Sequence, residues 1–183
     1  MLNFLLPSRV PFRHRLARSA VAIIYRYRDE ECELLLIKRS KRDGDPWSGH
    51  MAFPGGLIQA EDSSASDAAI REVREEIGID LYRCARFSMR LSDLITRRHH
   101  RFLPMVVSPF LFLLTRPVEF TTNHEVEEVL WIPLAYFQNP ANRETMIWEI
   151  GPLKLRLSCY RYEGRLIWGL TYLMIQNVIR KKI

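Results

Sequence analysis

Apolar and polar positions change their spacing several times along this chain, and each change predicts an element. Residues 19–27 (SAVAIIYRY) are β-prone and mostly apolar, the pattern of a central strand. Asp29-Glu30-Glu31 predicts a turn, and residues 33–38 (ELLLIK) return as the second strand of a hairpin. A polar, turn-rich stretch, 39–50, runs into Phe53-Pro54-Gly55-Gly56. There a strand should end in a turn whose glycines let backbone carbonyls approach a ligand. Ser64-Ala65-Ser66-Asp67 has the form of a capped helix start. Ala69, Val73 and Ile77 follow at helical spacing, and Gly78 supplies the stop. Residues 83–91 and 104–115 predict further strands, the second strongly apolar. Residues 144–150 and 154–162 predict a late hairpin around Gly151-Pro152. A closing helix ends near Lys181, with Leu170, Met174, Val178 and Tyr172, Ile175, Ile179 as two adjoining apolar rows.

Composition bounds the answer. The 183 residues suit one domain with a full core, and 48% hydrophobic with 26% charged residues excludes a disordered chain. The net charge of +6 fits a polyanionic partner such as a nucleotide, a phosphorylated cofactor or RNA, and selects none of them. Cys32, Cys84 and Cys159 lie far apart without metal-ligand spacing, which suggests packing residues in a reducing compartment. No apolar run is long enough to span a membrane. Residues 1–28 hold six arginines and no acid, as transit segments do, but Pro7 and Pro11 break a long amphipathic helix there. The expectation is an extension, 1–16, before a domain spanning 17–183. The expected compartment is the cytoplasm, or the mitochondrion if the arginine-rich start is a transit segment.

The chemistry concentrates in Arg71-Glu72-Val73-Arg74-Glu75-Glu76. Glu72, Glu75 and Glu76 stand at i, i+3 and i+4 on one helix face, in the last turns before Gly78. The helix dipole is negative there, and like charges at these spacings repel by roughly 0.2–0.5 kcal/mol per pair. A cation held between the glutamates compensates for that placement, whereas the plainer reading is a solvated acidic surface. Arg71, four residues from both Asp67 and Glu75, is placed to pin the acidic face.

These residues resemble the signature of the Nudix hydrolases, GX5EX7REUXEEXGU with U a bulky aliphatic. Arg71-Glu72-Val73, Glu75-Glu76, Gly78 and Ile79 match its second half in full. Gly56 to Arg71 is one residue longer than the common spacing, so the isolated acid is Glu61 or Asp62. The longer spacing, the preceding FPGG and a later YEG-RLIWGLT are similar to the coenzyme A diphosphatase branch. Arg39-Ser40 and Gly49 also match that branch, whereas Asp45 and Trp47 stand where its Arg and His are expected.

The resemblance implies an α/β (α+β) fold, a Nudix α/β/α sandwich with a mixed sheet and a signature loop-helix-loop. It implies Mg²⁺ or Mn²⁺ bound by Glu72, Glu76, Glu75 and the carbonyl of Gly55 or Gly56, with Arg71 orienting the glutamates. Residues 123–134 (NHEVEEVLWIPL) resemble a late Nudix element, making Glu125, Glu127 and Glu128 candidates for a further ligand or base. Arg39, in the loop that runs into the FPGG turn, should border the same site. Arg97, Arg98 and Arg101 form either a solvated loop tip or a phosphate-binding patch, since arginine forks pair with phosphate oxygens. The implied partner is a small nucleotide diphosphate rather than nucleic acid, bound by a monomer or homodimer. Its hydrolysis would favour coenzyme A or a derivative, then ADP-ribose, nucleotide sugars or dinucleotides. A silent nucleotide-binding module is the alternative of another class, against which the intact acids argue.

Overall fold

Strand β1 (Ala17–Arg28) is the axis of the fold. The structure is a computed structural model and describes residues 16–41, 48–97, 104–151 and 153–183. Along β1, Val21, Ile23 and Tyr25 point into one apolar core, and Ala20, Ala22 and Ile24 into a second on the opposite face. A strand covered on both faces needs a continuous apolar run, which is why this stretch shows no polar alternation.

β2 (Glu31–Arg39) returns antiparallel to β1. Asp29 and Glu30, both at positive φ (49° and 67°), make the turn, so Glu31 already belongs to the strand. β3 (Met51–Ala52) pairs with β2, and β4 (Gly55–Leu57) pairs antiparallel with β1. Helix α1 (Ala65–Ile77) follows. The Ser64 hydroxyl accepts from the Asp67 amide, and Gly78 closes the helix at φ 76°.

The next stretch departs from the expected strand over 83–91. Arg83 and Cys84 belong to a short helix, α2 (Leu81–Cys84), because the Asp80 side chain accepts from the Tyr82 amide and starts a turn. β5 (Ala85–Arg90) begins after it, and β6 (Leu94–Arg97) is an additional strand. β7 (Pro104–Leu114) runs parallel to β1, while β5 and β6 both pair antiparallel with β7. β8 (Val126–Pro133) joins the outer side of β2 and is followed by α3 (Leu134–Gln138). A second sheet of β9 (Arg143–Ile150), β10 (Leu153–Tyr162) and β11 (Arg165–Ile167) contains the expected late hairpin. α4 (Gly169–Lys181) closes the described chain, with Met174, Ile175 and Val178 buried.

The layers are those of the α/β/α sandwich. α1 covers the face of Ala20 and Ala22 with its own Ala68 and Ala69, small residues that let helix and sheet approach closely. α3 and α4 cover the other face through Leu134, Phe137, Met174, Ile175 and Val178. Among the described residues no helix is long and apolar enough to cross a membrane. Asp45, Trp47, Arg98, Arg101 and the side chain of Arg97 lie outside the described residues, as do residues 1–15.

Candidate active site

The pairing of β4 with β1 brings the twin glycines under α1. Ala22 N–H donates to Pro54 O (2.9 Å) and Ile58 N–H to Arg18 O (3.0 Å), so residues 54, 56 and 58 hold the ladder positions. Gly55 therefore turns its N–H, and with it its C=O, out of the ladder. That N–H donates to Glu76 Oε2 at 3.0 Å. The Gly56 carbonyl is engaged elsewhere, accepting from Ser19 Oγ at 2.6 Å. The Gly55 carbonyl is thus the better placed of the two for a further ligand.

Neither glycine has room for a Cβ with its neighbours as they stand, and at Gly55 those neighbours are backbone. A Cβ on Gly55 would lie 2.4 Å from Ala20 O, and one on Gly56 would lie 2.4 Å from Glu72 Oε1. The Glu72 carboxylate rests directly over Gly56.

Glu76 is buried (3% exposed), and desolvation pushes its pKa up to about 8, with the Glu72 and Glu125 charges adding to the rise. The Gly55 N–H and the nearby Arg39 charge oppose that rise. Glu72, partly buried, is likewise raised by desolvation and opposed by Arg71. Glu75 stands at the exposed rim.

Arg71 organises the acids. Its Nε donates to Asp62 Oδ1 (2.9 Å), Nη1 to Glu72 Oε1 (2.9 Å) and Glu75 Oε2 (3.1 Å), and Nη2 to Asp62 Oδ2 (3.1 Å) and Leu57 O (3.0 Å). Of the two acids open in the sequence, Asp62 is the one bound to Arg71, whose guanidinium holds its carboxyl below the usual range. Glu61 is exposed. Asp67, expected to flank Arg71 along the helix, instead bonds Ser64 and the Tyr82 hydroxyl.

Among Glu125, Glu127 and Glu128, the structure separates one from two. Lys38 Nζ holds Glu127 at 2.6 Å, and Arg165 Nε holds Glu128 at 2.7 Å. Glu125 is the one whose charge is felt at both Glu72 and Glu76. Asn123, a residue the sequence did not single out, brings it there. Asn123 N–H donates to Glu76 O at 3.0 Å, and its side-chain oxygen accepts from Glu125 N–H at 2.8 Å. Arg39 sits at an irregularity in the β2–β8 pairing, with the Ser40 amide on Glu125 O (2.8 Å).

The donor set consists of hard oxygens, which suits Mg²⁺ or Mn²⁺. Among the described residues no three His, Cys, Asp or Glu side chains close into a metal cage. Mg²⁺ does not need one, since it takes one or two carboxylates and keeps several waters. A buried and a partly buried carboxylate, mutually repelling and beside an outward-turned carbonyl, fit such an ion.

This arrangement of glycine turn, acidic helix and mixed sandwich defines a class, and comparison with known proteins gives the same one. The chain belongs to the NUDIX family, whose domain model matches residues 16–149. An uncharacterised protein of Schizosaccharomyces pombe is 43% identical over 105 residues, covering 56% of this chain and 32% of that protein. A peroxisomal coenzyme A diphosphatase of Caenorhabditis elegans is 33% identical over 147 residues, covering 76% of this chain and 59% of that protein. The chain thus spans between 32% and 59% of the length of these curated relatives. In fold it is similar to the NUDIX domain of Shewanella oneidensis NrtR, solved with ADP ribose. The TM-score is 0.61 at 17% identity, covering 92% of this chain and 89% of that one. Nudix hydrolases act on diphosphate-containing substrates and generally use divalent cations.

Proposed function

We propose that this chain hydrolyses a nucleoside diphosphate linked to another moiety, with coenzyme A or a derivative as the leading substrate. The observation that carries the reading is the buried Glu76 carboxylate, seated on the Gly55 amide beside Glu72. A buried carboxyl whose ionised form is so disfavoured costs stability when it must carry charge, and acids perturbed in this way cluster at sites that bind or react. Glu72, Glu76 and the Gly55 carbonyl would hold Mg²⁺ or Mn²⁺, with Glu75 joining directly or through water. Such a cation, when bound, neutralises phosphate charge and acidifies a bound water.

The remaining work falls to side chains of this chain. Arg71 fixes Glu72 and Glu75, and the Gly55 N–H fixes Glu76. Glu125, whose charge acts on both, would take a proton from the attacking water. Arg39 offers its guanidinium to a phosphate oxygen next to Glu76, and Arg97, Arg98 and Arg101 are proposed to bind a second phosphate.

The functional unit proposed is 17–183. Tyr160, Ile167, Met174, Ile175 and Val178 lie beyond the family match, yet they share a core with Val21 and Ile23. Free Cys32, Cys84 and Cys159 fit a reducing compartment, for which the cytoplasm is proposed.

Support for coenzyme A comes from the name of the C. elegans relative and from the FPGG and YEG-RLIWGLT elements. Asp45, in place of an expected arginine, would repel the 3′-phosphate, so the 3′-dephospho form should serve comparably well. The test is kcat/KM with Mg²⁺ and with Mn²⁺ for coenzyme A, its dephospho form and ADP-ribose. Hydrolysis is expected, with coenzyme A and dephospho-coenzyme A within about tenfold, or roughly 1.4 kcal/mol. No turnover of any diphosphate would overturn the activity.

A further inference from the structure

Three partly exposed rings pack against one another in a row. His50 stacks edge-on against Trp168 (centroids 5.3 Å apart), and Trp168 against Trp148 (5.4 Å). The rings connect to the backbone of Glu125 through a short series of contacts. Glu125 O accepts from Ser40 N–H at 2.8 Å, and the neighbouring Arg39 N–H donates to His50 O at 3.0 Å. Thr171 Oγ1 donates to Met51 O at 3.0 Å, which ties the first turn of α4, and Trp168 just before it, to the strand after His50. From His50 to Gly55 is five residues of chain, a reach of at most roughly 17 Å.

Core packing would be the ordinary use of two indoles. Trp148 and Trp168 are part of neither apolar core, and both keep part of their surface open. Large flat rings held partly open beside a site are suited to stacking another π-system. Lys41, exposed, lies alongside Gly49, next to His50 in the chain, and adds a cation at the edge of the wall.

We propose that His50, Trp168 and Trp148 form the stacking wall for the base of the nucleotide whose diphosphate is cleaved at the acidic helix. The proposal rests on the diphosphatase reading for its substrate class and gives the nucleoside end of that substrate a place. It commits to a purine-sized base on the Trp148–Trp168 side, with the phosphates directed toward Arg39 and Glu76.

The test compares AMP with ribose 5-phosphate, which lacks the base, by calorimetry and tryptophan fluorescence in Mg²⁺. The intact protein should bind AMP at least about tenfold more tightly, with quenching by AMP and none by ribose 5-phosphate. Trp148→Ala and Trp168→Ala should bring AMP down to the level of ribose 5-phosphate, whereas Trp148→Phe and Trp168→Phe should keep most of the difference. Equal affinity for the two ligands in the intact protein overturns the wall, and that measurement needs no variant. Undiminished AMP binding by alanine variants that keep the parental melting temperature overturns it as well. An active diphosphatase without base preference refutes the wall alone, and a protein that stacks AMP but cleaves no diphosphate refutes the activity alone.

Discussion

Glu76 accepts a hydrogen bond from the amide of Gly55 across 21 residues of chain, at 3.0 Å. One end of that bond belongs to a strand and the other to the helix above it. The carboxylate is thereby buried on a backbone amide, with the Arg39 charge nearby, whereas Glu72 is held by a direct bond from Arg71.

In EDTA, Glu76→Gln should raise the melting temperature, and the gain should depend on pH. The folded-state pKa of about 8 lies above the usual carboxylate value, so between about 4.5 and 8 the folded protein holds a proton that the unfolded chain releases. Stability of the parent therefore falls as pH rises through that window. The variant should gain little at pH 5 and most near pH 8, roughly 2–4 °C per kcal/mol recovered. A loss of metal-free stability at pH 8, read by calorimetry, would assign Glu76 a structural role. With Mg²⁺ the same variant should lose turnover by about two orders of magnitude or more.

Asp62 and Glu61 should behave oppositely despite being adjacent. Asp62→Ala removes a nearly buried carboxylate that takes two Arg71 donors, and should cost about 1–3 kcal/mol by denaturant unfolding. Glu61→Ala, at an exposed position, should stay within about 0.5 kcal/mol of the parent. Equal effects would remove Asp62 from its role as the anchor of Arg71.

Gly56→Ala drives its methyl into the Glu72 carboxylate, a flexible group that can move aside, so the fold should persist while activity drops. Gly55→Ala meets the Ala20 carbonyl and a φ of 155°, neither of which yields, so stability should fall first. Melting curves and turnover measured side by side check the contrast.

Single replacements Glu125→Gln, Glu127→Gln and Glu128→Gln should divide two ways. Glu125→Gln should lower kcat by about 10²-fold or more. Glu127→Gln and Glu128→Gln, which lose ion pairs to Lys38 and Arg165, should leave kcat within about threefold. A uniform response across the three would remove Glu125 from the site.

Local signals were the legible ones. The Ser64 cap, the Gly78 stop and the Val73–Ile77 stripe each depend on residues a few positions apart, and α1 forms where those residues predict it. Arg71 was visible as a clamp, but its main anchor was not fixed by spacing. Asp62 is presented by a loop whose own path depends on the Gln59 amide bonding the Asp62 carboxylate. Glu125 could not be told from Glu127 and Glu128 in sequence, because their sorting depends on Asn123 reaching the backbone of Glu76. The start of β5 was misplaced for a similar reason. Strand propensity over 83–91 is overridden at its start by the Asp80 cap, which draws Arg83 and Cys84 into α2.

The twin glycines have a meaning beyond clearance. β4 is three residues long and forms few ladder bonds, so hydrogen bonding alone holds its alignment weakly. Sliding it by one position along β1 would press Pro54 against the Ala20 carbonyl, or Leu57, much larger than a methyl, against the Glu72 carboxylate. The close approaches that shape the catalytic acids thus also act as a gauge for strand alignment. A shifted pairing at this point meets steric opposition before any metal or substrate is present.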